Sequence, residues 1–173
     1  MARAGSSTLP DAPSPERLRL GRAARRVFIV LLFVFIGLGL AGVLGVRTGT
    51  VSATGGGYEL EVTYARVTRP GLATPWSTTV RHPGGFEGPI TIAVSSEYFD
   101  MFDENGLDPD PSGATADGEY VYWEFEPPDG DVLEVSFDAR IEPARQWGRD
   151  GVSRLMDGNR VIAEARYKTW VLP

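Results

Sequence analysis

Two patterns of apolar and polar positions divide the chain. Residues 27–46 form one apolar run with no charged or strongly polar side chain. Twenty helical residues rise about 30 Å, the thickness of a bilayer's hydrocarbon layer. A helix buried in a soluble core would need a polar stripe at 3.6-residue spacing or caps within the run, and neither is present. The run is therefore expected to cross a membrane once. Arg17, Arg19, Arg22, Arg25 and Arg26 stand directly before it, against Arg47 and Arg66 in the stretch that follows. The positive-inside rule then places the N-terminus in the cytoplasm and the C-terminal part outside the plasma membrane. Small residues at Val51-Ser52-Ala53 offer an alternative, a cleaved signal peptide. The apolar core of a signal peptide usually runs about 7–15 residues, so a retained signal-anchor is the expectation.

From Gly57 onward the period changes to two. Leu60, Val62 and Tyr64 alternate with Glu59, Glu61 and Thr63, as in a strand with one wet face. Residues 77–82 and 89–94 read the same way, the latter with Ile90, Ile92 and Val94 inward. The strongest alternation lies in 120–126 (Val121, Trp123, Phe125) and 132–141 (Leu133, Val135, Phe137, Ala139, Ile141). Turn-forming Pro127-Pro128-Asp129-Gly130 between them predicts a hairpin. A second hairpin is expected to join 152–156 to 161–171 through Asp157-Gly158-Asn159. Only 96–106 breaks the period: a Ser cap, an early Glu, Tyr98 and Phe102 at i,i+4 and a closing Asn-Gly predict a short helix.

About seven short strands with one helical crossover predict a two-sheet β-sandwich of immunoglobulin-like type. Without the Cys-Trp-Cys core of antibody domains, it resembles the disulfide-free fibronectin-III-like class in architecture. The expected organisation is a disordered basic cytoplasmic tail over 1–26, the membrane helix over 27–46, a flexible linker over 47–56 and the sandwich over 57–173.

Charge sharpens this division. Of the net charge of -6, the part up to residue 46 carries +4 and the remainder -10. An acidic outer domain repels phosphates, so no nucleic-acid partner is expected. The chain has no Cys, which removes disulfides, thiolate nucleophiles and Cys-based zinc sites. Among its 17 basic residues only Lys168 is not Arg, a composition that suggests a GC-rich bacterial genome.

Candidate chemistry is sparse. The sole His, His82, enters a Gly-rich turn with no strained Ser elbow after it, so a Ser-His-Asp site is not expected. Asp103, Asn105, Asp108 and Asp110 supply oxygen ligands at short spacing around Gly106, the chemistry a Ca²⁺ ion needs. The spacing departs from an EF-hand loop and the closing Glu is missing, so a solvated acidic loop is the favoured reading. Gly37, Ala41 and Gly45 recur every four residues and would give one helix face for close packing, a route to self-association. No cofactor and no catalytic activity are expected. By elimination, the chain reads as a membrane-held binding or accessory module whose partner is another envelope or membrane protein. The alternatives are a domain binding cell-wall glycan or Ca²⁺, through the acidic loop or Trp76 and Trp147, and a hydrolase of unrecognised type.

Overall fold

The computed structural model describes residues 15–42, 45–144 and 147–172. They fall into two compact units that divide after Gly45. The first is a single helix, α1 (Pro15–Leu40). Pro15 at its first position and Glu16 in its first turn suit a helix start, where a missing N–H costs nothing and a negative charge meets the dipole. Leu, Ala and Arg then carry the helix through 16–26, a stretch expected to be disordered, because these residues are strong helix formers. Residues 1–14 lie outside the described residues. Phe28, Leu31, Phe33 and Phe35 are all exposed, and α1 is the one described helix long and apolar enough to cross a membrane. It ends six residues earlier than expected, where Gly42 adopts φ +69°, a left-handed cap that Gly alone takes without strain.

The second unit contains β1 (Arg47–Gly55), β2 (Tyr58–Thr68), β3 (Ala73–Arg81), β4 (Ile90–Ser95), α2 (Ser96–Phe99), β5 (Phe102–Asp108) and β6 (Gly113–Ala116). Then come β7 (Tyr120–Phe125), β8 (Val132–Ile141), β9 (Asp150–Asp157), β10 (Arg160–Lys168) and β11 (Trp170–Val171). They form two sheets. One has the order β1-β2-β3-β8-β5, with β11 running parallel to the end of β2, and the other the order β10-β9-β4-β7-β6. All other pairings are antiparallel. Among the described residues the result is an eleven-stranded, sandwich-like domain rather than one of about seven strands.

Three expectations are corrected here. The linker over 47–56 is strand β1, paired residue for residue with β2 from Gly55↔Tyr58 back to Thr48↔Ala65. Its small polar residues look like a linker, yet Val51 and Ala53 alternate onto the core, and the turn uses Gly56 and Gly57 at positive φ, as a tight hairpin requires. The predicted 96–106 helix is only the four-residue α2, after which Phe102 starts β5. The Tyr98–Phe102 contact survives, with ring centroids 5.4 Å apart. Finally, β7 and β8 are not a hairpin. Each alternates as expected, but β7 pairs with β4 and β6 while β8 pairs with β3 and β5. Residues 126–131 cross from one sheet to the other, so the inward faces of β7 and β8 meet across the core. The hairpin of β9 and β10 is present as expected.

The centre of the core is aromatic and joins both sheets. Phe99 of α2 lies edge-on to Trp76 of β3 (5.0 Å), Trp123 of β7 (5.2 Å) and Phe137 of β8 (5.3 Å). Such edge-to-face pairs add to the hydrophobic gain from burial. A hydrogen-bonded seam runs beside them. Trp76 Nε1 donates to the Tyr167 hydroxyl (3.1 Å), which bonds Ser153 Oγ (2.9 Å). The Tyr98 hydroxyl bonds Thr169 Oγ1 (2.8 Å), which donates to the Ala65 carbonyl (2.6 Å). Burial pushes the Tyr167 phenol up to about 12 and the Tyr98 phenol higher, so both remain neutral donors.

Candidate functional site

The strands define two ends. At the proximal end the chain arrives at Arg47; β2, β8 and β10 finish there and β9 begins. At the distal end lie the turns and loops after β1, β3, β7 and β9. Nine residues of β1 separate the ends by about 30 Å.

The distal end holds a concavity around Tyr58. Tyr58 starts β2 directly after the Gly56-Gly57 turn and stacks on His82, with centroids 4.0 Å apart and 15° between planes. Phe86 lies against both rings, at 6.3 Å and 6.2 Å. The loop that carries His82 is fixed by its backbone: His82 N donates to the Asp131 carbonyl (2.9 Å) and Gly85 N to the His82 carbonyl (3.0 Å). His82 Nδ1 bonds the Gly85 carbonyl at 2.6 Å. A carbonyl only accepts, so Nδ1 carries the proton and donates. His82 therefore braces Tyr58. A cavity of about 490 Å³ lies beside Tyr58, lined by Thr54, Glu59, Arg81, Pro83 and Asp131. A second, of about 420 Å³, lies between Tyr58 and residues 87–91 and 155–158.

A guanidinium and two carboxylates lining this cavity can hold a polar chain segment by charge-assisted hydrogen bonds. The lining contains no Ser, and the bonded partner of His82 is a backbone carbonyl, so the geometry of a Ser-His-Asp site is not built here. The sequence signals for this groove, aromatic residues beside Gly turns at 55–58 and 82–86, are recognisable only once β1 is known to be a strand.

The cation-ligand candidates do not converge. Asp103 and Asp108 lie on β5, opposite Arg140 and Ser136 of β8, and at about 3.3 Å per residue an extended strand holds them roughly 15 Å apart. Asp110 is exposed beyond the end of β5, and the side chain of Asn105 lies outside the described residues. No group of three or more His, Asp or Glu side chains suited to a metal occurs among the described residues. The packing stripe is also broken: Gly37 is within α1, Ala41 is in its closing turn, and Gly45 follows the left-handed Gly42. Of the two tryptophans considered for ligand binding, Trp76 is 1% exposed and belongs to the core, whereas Trp147 is 82% exposed.

No protein-family model matches the chain, and no curated protein is similar to it in sequence.

Proposed function

We propose that this chain is a membrane-anchored, non-catalytic binding module, with its N-terminus in the cytoplasm and its β domain outside the plasma membrane. Its distal groove engages another envelope or membrane protein. The observation that carries the binding reading is the stack of Tyr58 on His82, which holds an aromatic ring ready at the end about 30 Å from Arg47. A binding face that needs no ordering loses less conformational entropy when occupied.

Strand order supports an immunoglobulin or fibronectin-III-like class. β2, β3, β8 and β5 take the places of strands A, B, E and D, and β10, β9, β4 and β7 those of G, F, C and C′. The departure is that β5, in the place of D, precedes β7, in the place of C′, with β6 between them in the chain. The exposed apolar surface of α1 and the five arginines within residues 17–26 support the anchor and its orientation.

A Cys at Ser6 is expected to resist a membrane-impermeant thiol reagent in intact cells, while one at Ser112 reacts; labelling at Ser6 alone would reverse the topology. N-terminal sequencing of the membrane-bound form is expected to find residues before Ala53, and a start at Thr54 would mean a removed signal. For the groove, photo-crosslinking groups at Thr54 and Asp131 are expected to give one discrete protein adduct that Tyr58→Ala abolishes. The same adduct from Ser136, on the exposed face of β8, would refute the groove as the binding face.

A further inference from the structure

The proximal end carries exposed aromatic surface that the groove does not use. Trp147, in the β8–β9 connection, is 82% exposed, and Trp170, on β11, is 57% exposed. The two segments are packed together. Thr169 N donates to the Arg149 carbonyl at 3.0 Å, and a Cβ added at Gly148 would stand 2.8 Å from Trp170 Cα. Leu72 and Leu172 are exposed at the same end.

Two groups of charged residues stand at opposite corners of this end. Arg47, Arg66, Arg69 and Lys168 surround the corner made by β1, β2, β10 and β11. Lys168 Nζ lies 4.8 Å over the Trp170 ring and 3.1 Å from Asp150, whereas Arg47, Arg66 and Arg69 are in no ion pair among the described residues. Asp103, Asp117 and Glu119 occupy the opposite corner, beside β5 and β6, with Arg140 of β8 opposite Asp103. The chain from α1 joins the domain at the aromatic and basic corner. Only residues 41–46 separate Leu40 from β1, so covalent length alone keeps Arg47 within about 25 Å of the end of α1.

Tryptophan places an apolar ring and a polar N–H at the level of lipid headgroups, and arginine and lysine are drawn to anionic headgroups. We propose that this corner is a foot on the lipid interface, in which Trp147 and Trp170 seat among the headgroups of the bilayer that α1 crosses. The inference rests on the reading of α1 as a membrane anchor. Its consequence is a β domain held down at one corner, with its acidic corner raised and its distal groove turned to the outside.

The test uses the full chain reconstituted into vesicles of phosphatidylcholine and phosphatidylglycerol, with or without bromine on the acyl chains close to the headgroup. The chain has four tryptophans, and Trp76 and Trp123 are buried in the core, where they serve as an internal reference. Brominated lipid is expected to remove most of the emission contributed by Trp147 and Trp170. The Trp147→Phe, Trp170→Phe double variant, left with its core tryptophans, is expected to emit equally in both kinds of vesicle. Equal emission of the unmodified chain in both, while it resists carbonate extraction, would overturn the foot and leave the anchor standing. Protection of both tryptophans from aqueous iodide without quenching by brominated lipid would also overturn it, in favour of a protein contact. Release of the chain by carbonate would bring down the anchor and the foot together.

Discussion

The two ends of the sandwich are built from the same strands and present opposite surfaces. The distal end is made of tight turns, with Glu87, Asp129, Asp131 and Asp157 exposed and the Tyr58 ring held on His82. The proximal end has a corner of exposed tryptophan and arginine, with the β8–β9 connection pressed against β11. A sheet fixes where its strands end but not what the connections carry, so the two ends can meet different surroundings without a change in the core. An acidic, groove-bearing end suits a polar partner; an aromatic and basic corner suits an interface between lipid and water.

The largest effect should come from the core that both ends share. Phe137 touches Phe99 and Phe102 from the inward face of β8. Phe137→Ala is expected to cost about 3–5 kcal/mol in denaturant unfolding of the domain from Val46 onward. Ser136→Ala, on the exposed face, should stay within about 0.5 kcal/mol. Similar losses at both positions would mean that the strand register is wrong.

Next, the connections should differ in tolerance. A Cβ at Gly148 would meet the Thr169 carbonyl oxygen at 1.8 Å, whereas one at Gly88, in the distal β3–β4 loop, meets nothing within 4 Å. Gly148→Ala is expected to lose about 3 kcal/mol, because a backbone rather than a flexible side chain must move. Gly88→Ala should be neutral or stabilise by about 0.4–1 kcal/mol through the unfolded chain. Equal melting temperatures for the two variants would erase the distinction between a packed proximal connection and an open distal one.

A third measurement concerns the seam that leads towards the proximal end. Tyr167→Phe leaves Trp76 Nε1 and Ser153 Oγ without their shared partner and is expected to cost about 1–2 kcal/mol. It should also change the alkaline limb. The folded-state value of Tyr167, about 12, lies above the ordinary 10, so between these values the unfolded chain binds fewer protons than the folded one. Stability is then fully present below about pH 10 and falls as pH rises towards 12, by up to about 1.4 kcal/mol per pH unit for each buried phenol. Tyr98, raised in the same direction by its burial, adds to this fall. The unmodified domain should therefore lose stability more steeply above pH 10 than Tyr167→Phe; identical slopes would mean that this phenol is reached by water.

The smallest effect is expected at the proximal surface. Trp147→Ala should alter unfolding by no more than about 0.5 kcal/mol, because the ring is 82% exposed. A loss of several kcal/mol would mean that Trp147 serves the fold and would remove it from the lipid foot.

Much of this was legible in the residues alone. The alternation in 132–141 assigned every inward side chain of β8 correctly, because a half-buried strand admits no other period. The β9–β10 hairpin was legible because Asp-Gly-Asn leaves few alternatives to a tight turn. β1 was missed because Thr, Ser and Gly are equally at home in a linker, and only its pairing with β2 distinguishes the two. The groove was hidden for the same reason, since Tyr58 meets His82 only after β1, β2 and β3 have lined up.

What depends on neighbours along the chain is written in the residues themselves: an apolar helix near the N-terminus, the inward and outward faces of the strands, and the absence of thiol chemistry. Apart from the β9–β10 hairpin, strand pairing emerged only in the folded domain. The segment 126–131 has the composition of a hairpin turn, yet it carries the chain from one sheet to the other, so that Trp123 and Phe137 reach Phe99 from opposite sheets and pack edge-on against it. Periodicity records which side of a strand is dry; it does not record which other strand keeps it dry.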